Sequence, residues 1–217
     1  PSRAGQVISQ LVNDFSGIVQ AYGYAVYADL CKENHIQRIG CWDHARRKCI
    51  AASKAAAPNS KKKHRGGVSK ADVAIGKIRK LYAIERKIAD LSHEEKYQAR
   101  QTLSKPVLDD LKQWLITNQP KLLKGSLTGK AITYALNQWD YLTGYCDHGH
   151  VHMSNVLAEN AIRPFAVGRK AWLFADTTRG AHASATCYSL IETAKANHLE
   201  PYAYILHVLN HIGTADT

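Results

Sequence analysis

Gly17-Ile18-Val19-Gln20-Ala21-Tyr22-Gly23 and, a short stretch later, Ile36-Gln37-Arg38-Ile39-Gly40-Cys41-Trp42 are the two segments on which the fold turns. Each is a brief apolar run bounded or broken by glycine, the signature of a short buried strand: 18–22 in the first, 36–42 in the second. Between them, Tyr24 to Cys31 reads as a short helix. A strand, a helix and a second strand in so few residues predict a β-α-β unit, and so a parallel strand pair. Asp43 then stands where it can cap a helix running from His44 to about Ala57. Upstream, Val7, Ile8, Leu11, Val12 and Phe15 fall on one face of a helix over 1–16.

Downstream the pattern changes. The basic, glycine-bearing stretch Pro58 to Gly67, with KKKHR at 61–65, reads as a mobile loop, solvated or in contact with phosphates. Helical spacing follows over Ala71–Leu91, then a Ser92-x-x-Glu95 capping box, then helices over 104–117 and 126–145. With no strand signal from 71 to 145, this is a large helical insertion. After Gly149 strand signals return: His150–Met153 and Ala171–Ala175 read as extended, and Asn155–Arg163 as a short helix stopped by Pro164. Ala181–Asn197 and Pro201–Ile212 read as closing helices, the last with proline at its start. No internal repeat is visible. The trace predicts an α/β chain, mostly α overall.

Composition narrows the function. The 217 residues carry 29 Lys and Arg against 18 Asp and Glu, a formal charge of +11. Such an excess favours a polyanionic partner, most often nucleic acid. The apolar fraction of 45% supports a real core and excludes wholesale disorder. No run of about 18 apolar residues provides a membrane-spanning helix, and no charged-then-apolar leader is expected. Its start at Pro1 points to a fragment or a processed product. Five cysteines, an odd number in a chain of this size, argue against a disulfide framework and for a reducing, cytoplasmic setting.

Three groups of residues carry chemistry. Glu159 lies on a helix beside Ala158 and Ile162, where a half-buried carboxylate needs a cation or a metal. It either pairs with Arg163 at i,i+4 or ligates a metal in a site lined by cations. Arg169 and Lys170 follow closely and suit backbone phosphates, with Asn155 at the same edge to contact or orient the substrate. Arg46, Arg47 and Lys48 either touch nucleic-acid phosphates or form a solvated helix face. Cys41 and His44 have the spacing of half a zinc site. His148, His150 and His152, alternating on one strand face, supply candidates for the other half. Trp42, Trp114, Trp139 and Trp172 read as core.

The ordered run Asn155-x-x-Ala158-Glu159-Asn160-Ala161-Ile162-Arg163-Pro164-Phe165, then Gly168-Arg169-Lys170-x-Trp172-Leu173-Phe174, resembles the C-terminal half of transposases of the insertion-sequence-66 family. Arg179–Lys195 and Pro201–Leu209 resemble that family's closing segment, and Cys41–Lys48 the stretch after its second core strand. The resemblance covers nearly the whole chain and is weakest across 54–145. It implies a partial RNase H-like core with a large helical insertion. Residues 1–57 would form the first part of the core, 58–146 the basic loop and insertion, and 147–217 the second part with the catalytic Glu. It further implies DNA transposition by a DDE enzyme. There, two Asp and one Glu hold two Mg²⁺ or Mn²⁺ ions for phosphoryl transfer on transposon-end DNA. Glu159 would be the closing Glu and metal ligand, Arg46, Arg47, Lys48, Asn155, Arg163, Arg169 and Lys170 would face DNA, and Cys41 and His44 would be structural. The partners are DNA ends and target, and the resemblance admits a homo-oligomer and accessory proteins of the same element. The expected setting is the bacterial cytoplasm, at the nucleoid.

The chain departs from the family in two places. The family places Asp in a Q-x-D-x-Y pattern at a strand end, and Gln20-Ala21-Tyr22-Gly23-Tyr24 puts Tyr22 there. A neutral phenol does not supply the charge Mg²⁺ needs. The first Asp belongs to an upstream strand that the chain is expected to lack. The resemblance therefore implies a chain inactive by itself, with its metal absent or weakly bound; Asp29 and Asp43 are off the strand end. Tyr22 is read as decay of a transposase relic, a change made to abolish activity, a DNA-stacking aromatic, or a side chain that is simply packed at the strand end. The alternatives are a non-catalytic DNA-binding relic and, on Cys41, His44 and the His run alone, a zinc hydrolase.

Overall fold

A computed structural model describes residues 15–23, 26–27, 31, 35–56 and 68–214. The expected 1–16 helix lies outside these residues except at its last two positions, which are not helical, and the 58–67 loop lies outside them entirely. The chain divides into two compact units, 1–155 and 156–217.

In the first unit β1 (Ile18–Gln20) pairs in parallel with β2 (Gln37–Ile39), Val19 opposite Arg38. The β-α-β reading holds in this respect: positions 26–27 and 31 in the connection are helical. Both strands are shorter than the apolar runs that announce them. The ladder extends one bond at each end, from Gln37 N–H to Gly17 O and from Ala21 N–H to Ile39 O, both 2.9 Å. It then stops because Gly40 turns its N–H away to Tyr141 O at 2.7 Å. A side chain at Gly40 would stand 3.1 Å from the Leu142 nitrogen, tighter than ordinary side-chain contact, so a larger residue would push Leu142 away by a few tenths of an ångström. Gly17, at φ +133°, uses a backbone region that favours glycine.

Helix α1 (Trp42–Ala56) leaves β2 directly. It begins one residue before Asp43, so Asp43 sits in its first turn rather than at the cap. Helix α2 (Lys70–Lys87) starts at Ser69, whose hydroxyl accepts from Asp72 N–H. Helix α3 (His93–Ala99) carries the anticipated Ser92–Glu95 capping box, both reciprocal bonds being present. A π-helical turn, Arg100–Ser104, joins it to α4 (Lys105–Asn118). The expected 126–145 helix is two helices, α5 (Leu127–Asn137) and α6 (Trp139–Thr143), because Gln138 leaves helical geometry at φ −104°, ψ 11°.

These helices share one core. Trp42, Ala45 and Cys49 of α1, Ala74, Ile75, Ile78 and Leu81 of α2, and Leu108, Leu111 and Leu115 of α4 recur at three and four residues, each set forming one stripe. Ala131, Ile132 and Ala135 of α5 close the cluster with Trp139 and Leu142. Trp42 is wholly buried; its indole donates to Leu142 O at 2.7 Å, and its ring meets Trp139 edge-on at 6.0 Å. The core assignment holds for Trp42 and Trp139. Trp114 is partly buried against the cluster, while Trp172, in the other unit, is exposed.

A buried cation ties the far side together. Arg100, 2% exposed, donates to both Glu85 carboxylate oxygens, at 2.9 and 2.5 Å, to Tyr145 O at 3.0 Å, and to His148 O. This clamps α2 to the turn that opens the 148–155 segment. That segment is not a strand, so the three histidines do not alternate on one face. It lies along the sheet end instead: Gln20 donates to His152 O at 2.6 Å, and Trp42 N–H donates to Met153 O at 3.0 Å.

The second unit is helical: α7 (Val156–Trp172), α8 (Thr178–Ala196) and α9 (Pro201–His211). Two expectations fail here. The helix continues through Pro164, and Ala171–Ala175 is not a strand. Pro164 takes away one helical donor, but the turns on both sides keep theirs, and the aromatic residues beyond it gain packing only if the helix continues. Phe165 meets Trp172 at 5.5 Å and Tyr188 of α8 at 5.3 Å, both edge-on. Gly168 faces the Tyr188 hydroxyl, which a methyl at that position would approach to 2.5 Å. After α8, His198 at φ 58° lets Leu199 N–H reach Ala194 O at 2.9 Å and ends the helix. Among the described residues of this unit only Ala194 is fully buried.

Candidate nucleic-acid interface

The site begins where β1 ends. Parallel strands present ligand-facing residues at their carboxyl ends, and Tyr22 stands there, 40% exposed. Its ring stacks on His44 of α1 at 5.0 Å with the planes 15° apart, and meets Tyr27 edge-on at 5.9 Å. Gly23 N–H donates to the Tyr134 hydroxyl at 3.2 Å. Tyr22 and His44, named separately from the sequence, are thus in contact. Cys41 is buried at the strand-to-helix turn.

In the first turn of α1, Asp43 accepts from the Tyr82 hydroxyl at 2.5 Å and from the Ser154 hydroxyl at 2.8 Å, one bond to each carboxylate oxygen. It joins α1, α2 and the 148–155 segment. Burial first, then the Asp43 bond and charge, push the Tyr82 phenol far above its ordinary range, so it remains a donor. Asp29, the other substitute carboxylate, lies outside the described residues.

The three cations of α1 diverge around the helix. Arg46 is half-buried with its guanidinium 5.5 Å from the Tyr82 ring centre, and its Nε makes no hydrogen bond. Arg47 is exposed, and Lys48 places Nζ 4.5 Å from the Tyr134 ring centre. Asn155, half-buried at the end of the first unit, has an Oδ1 with no partner.

In the second unit, Glu159 is half-buried in the first turn of α7. Because the helix runs unbroken, Glu159, Arg163 and Lys170, at i, i+4 and i+11, share a stripe, while Arg169 projects to one side. Arg163, Arg169 and Lys170 are all exposed. Of the ion pairs among the described residues, none joins Glu159 to Arg163, so the expected i,i+4 pair does not form.

Among the described residues no group of three or more His, Cys, Asp or Glu is placed to hold an ion. Cys41 and His44 gain no second pair, and His148 spends a ring nitrogen on Gln37 Oε1 at 2.9 Å. The described donors therefore do not fit a two-metal carboxylate centre or a zinc site.

Sequence reading missed four cations that the fold brings into play. Arg38 is buried, with its guanidinium over Tyr141 at 4.0 Å, and Arg100 is the clamp already described. Arg79 and Arg86 join Arg46 and Tyr82 around one hollow. The spacing Arg79-x-x-Tyr82-x-x-x-Arg86 is i, i+3, i+7 on α2, a signal available in the sequence once α2 is recognised.

In class this is a strongly basic, mostly helical protein whose first unit carries a parallel strand pair, with an aromatic pair at the strand end and an Arg-Arg-Lys helix leaving it. Residues 1–183 match the profile described as Transposase IS66 family, and residues 189–217 match the IS66 C-terminal element. The chain belongs to the IS66 transposase family. Relatives in Sinorhizobium fredii include uncharacterized protein y4hP, 31% identical over 97% of this chain and 39% of its own length. Uncharacterized protein y4jD is 29% identical over 100% of this chain and 42% of its own. The chain spans about two fifths of the length of these relatives. No solved structure matches it. Among the described residues no helix is long and apolar enough to cross a membrane.

Proposed function

We propose that the chain acts in DNA transposition as the DNA-holding C-terminal part of a DDE-type transposase, and does not itself cut or join strands. The observation that carries the reading is the family match over nearly the whole chain, combined with Tyr22 at the strand-end position of an Asp. The parallel β1–β2 pair and α1 are the piece of an RNase H-like core on this reading, and the helices of 71–145 its insertion. Residues 1–57, 58–146 and 147–217 then divide the chain by role.

The chemistry follows from the residues present. The exposed cations Arg47, Lys48, Arg163, Arg169 and Lys170 meet backbone phosphates, and their contribution falls with salt as counterions are released. Tyr22, already stacked on His44, offers a π-face to a base. Asn155 turns an unpartnered carbonyl oxygen toward a donor on the substrate. Glu159 keeps the closing-carboxylate position. No hydrolytic step is assigned, because the donor set does not fit the metal pair that such a step requires. The reading fits a decayed or repurposed transposase as well as a part awaiting the rest of its enzyme.

The test is a gel shift with duplexes carrying and lacking transposon ends, alongside a nicking assay in Mn²⁺. Binding without nicking is the expected result. Nicking by the chain alone would overturn the non-catalytic reading, and no shift at low salt would overturn DNA binding.

A further inference from the structure

The hollow between α1 and α2 is lined by Arg46, Arg79, Tyr82 and Arg86 and encloses about 260 Å³. At ~30 Å³ per water this is room for roughly eight or nine waters, ample for a phosphate group. Among the described residues three guanidiniums and a phenol line it, and no carboxylate does.

The carboxylates that could neutralise these arginines are committed elsewhere. On α2, Asp72 accepts from Ser53 at 2.6 Å and from Ser69 at 2.6 Å. Those hydrogen bonds are the main causes holding its carboxyl below the usual range, with Arg79 adding only a field effect. Glu85 is held by Arg100. Asp43, behind the hollow, is capped by Tyr82 and Ser154. Among the described residues no ion pair reaches Arg46, Arg79 or Arg86. Tyr82 spends its hydroxyl on Asp43, which fixes the ring that Arg46 lies against. The half-buried Arg46 keeps an Nε donor without a partner. Like charges facing one hollow repel, and an anion between them turns that repulsion into attraction. Guanidinium forks match phosphate oxygens in pairs.

We propose that Arg46, Arg79 and Arg86 form a phosphate-binding pocket that grips a backbone phosphodiester of DNA. The proposal rests on the DNA-binding reading above and adds a second contact region, in which Arg79 and Arg86 of the helical insertion join Arg46 of α1. The pocket positions the duplex and reads no sequence, since its donors meet phosphate oxygens only.

The experiment uses the full chain and fluorescence anisotropy on a labelled mixed-sequence duplex across a salt series. The paired variant Arg79→Ala/Arg86→Ala removes two exposed side chains. Lys121→Ala/Lys124→Ala, also exposed and outside the hollow, removes the same charge. Circular dichroism melts check that both fold. The arginine pair is expected to weaken binding about tenfold and to flatten the slope of log K against log salt by about 1 per phosphate lost, equally on unrelated sequences. The lysine pair is expected to change affinity less than about threefold and leave the slope in place. Equal losses in both variants, or no loss in the arginine pair, would overturn the pocket while leaving DNA binding intact. A wild-type chain that fails to bind would overturn the DNA-binding reading itself. Inorganic phosphate that stabilises the wild type but not the arginine variant, with DNA affinity the same in both, would reassign the hollow to a free anion and overturn the proposal.

Discussion

Replacing Arg100 by Met tests the packing that holds the candidate interface in place. The Arg100 side chain is 2% exposed and Glu85 16%, so water reaches little of the pair. The substitution keeps much of the aliphatic volume and removes four hydrogen bonds: two to Glu85 and one each to the carbonyls of Tyr145 and His148. Breaking a buried pair from one side costs about 3–5 kcal/mol, because a charge is left without its partner. Glu85 keeps some water, which places the expected loss near the lower end, at about 3 kcal/mol. That is a large share of the ~5–15 kcal/mol that holds a domain together. Urea unfolding followed by tryptophan fluorescence reads it, with Trp172 changed to Phe in both proteins so that the buried Trp42 and Trp139 dominate the signal. The midpoint is expected to fall with an unchanged slope. Adding Glu85→Leu should recover about 2 kcal/mol or more of the loss, since an apolar pair often replaces a buried ion pair without penalty. A loss below about 1 kcal/mol, or no recovery in the double variant, would refute the clamp.

Four further outcomes can be measured. Burial pushes the thiols of Cys49 and Cys146 up to about 11, so both stay protonated while the unfolded chain ionises near 9. Stability from these groups is complete below pH 9 and is lost as pH rises from about 9 to about 11; a melting series that rises over that range would contradict it. For the same reason Cys187, the one exposed thiol of the five, should react first with a thiol reagent, and fast labelling of more than one thiol in the folded chain would count against the burial assigned. Ser69→Ala removes the α2 cap and one of the Asp72 hydrogen bonds, with an expected loss of about 1 kcal/mol in urea unfolding; no change would mean the cap is idle. Tyr22→Asp, in a chain extended by the upstream Asp strand of the family, should gain Mn²⁺ binding by calorimetry over the same chain with Tyr22, and equal heats would remove Tyr22 from the Asp position.

Sequence by itself determined the features set by local chemistry. Apolar runs bounded by glycine gave the parallel pair, because a one-dimensional pattern of that kind has few other solutions. Ser92 and Glu95 placed a helix start to the residue, since a capping box is closed within four positions. The ordered motif around Glu159 placed the chain in its family. Tertiary structure alone decided what depends on residues far apart in the chain. Pro164 looks like a stop locally, but Phe165, Trp172 and Tyr188 pack only if the helix runs on. Gln138 breaks a helix that periodicity reads as continuous, because Gln138 accepts from the buried Arg38, a hundred positions away. Asp43 looks like a cap and is instead a junction for Tyr82 and Ser154. Arg79 and Arg86 line a hollow only because α1 brings Arg46 to the same place. Hydrophobic period and capping are short-range and written along the chain. The meeting of charges across helices is long-range, and it exists only once burial has set which faces touch.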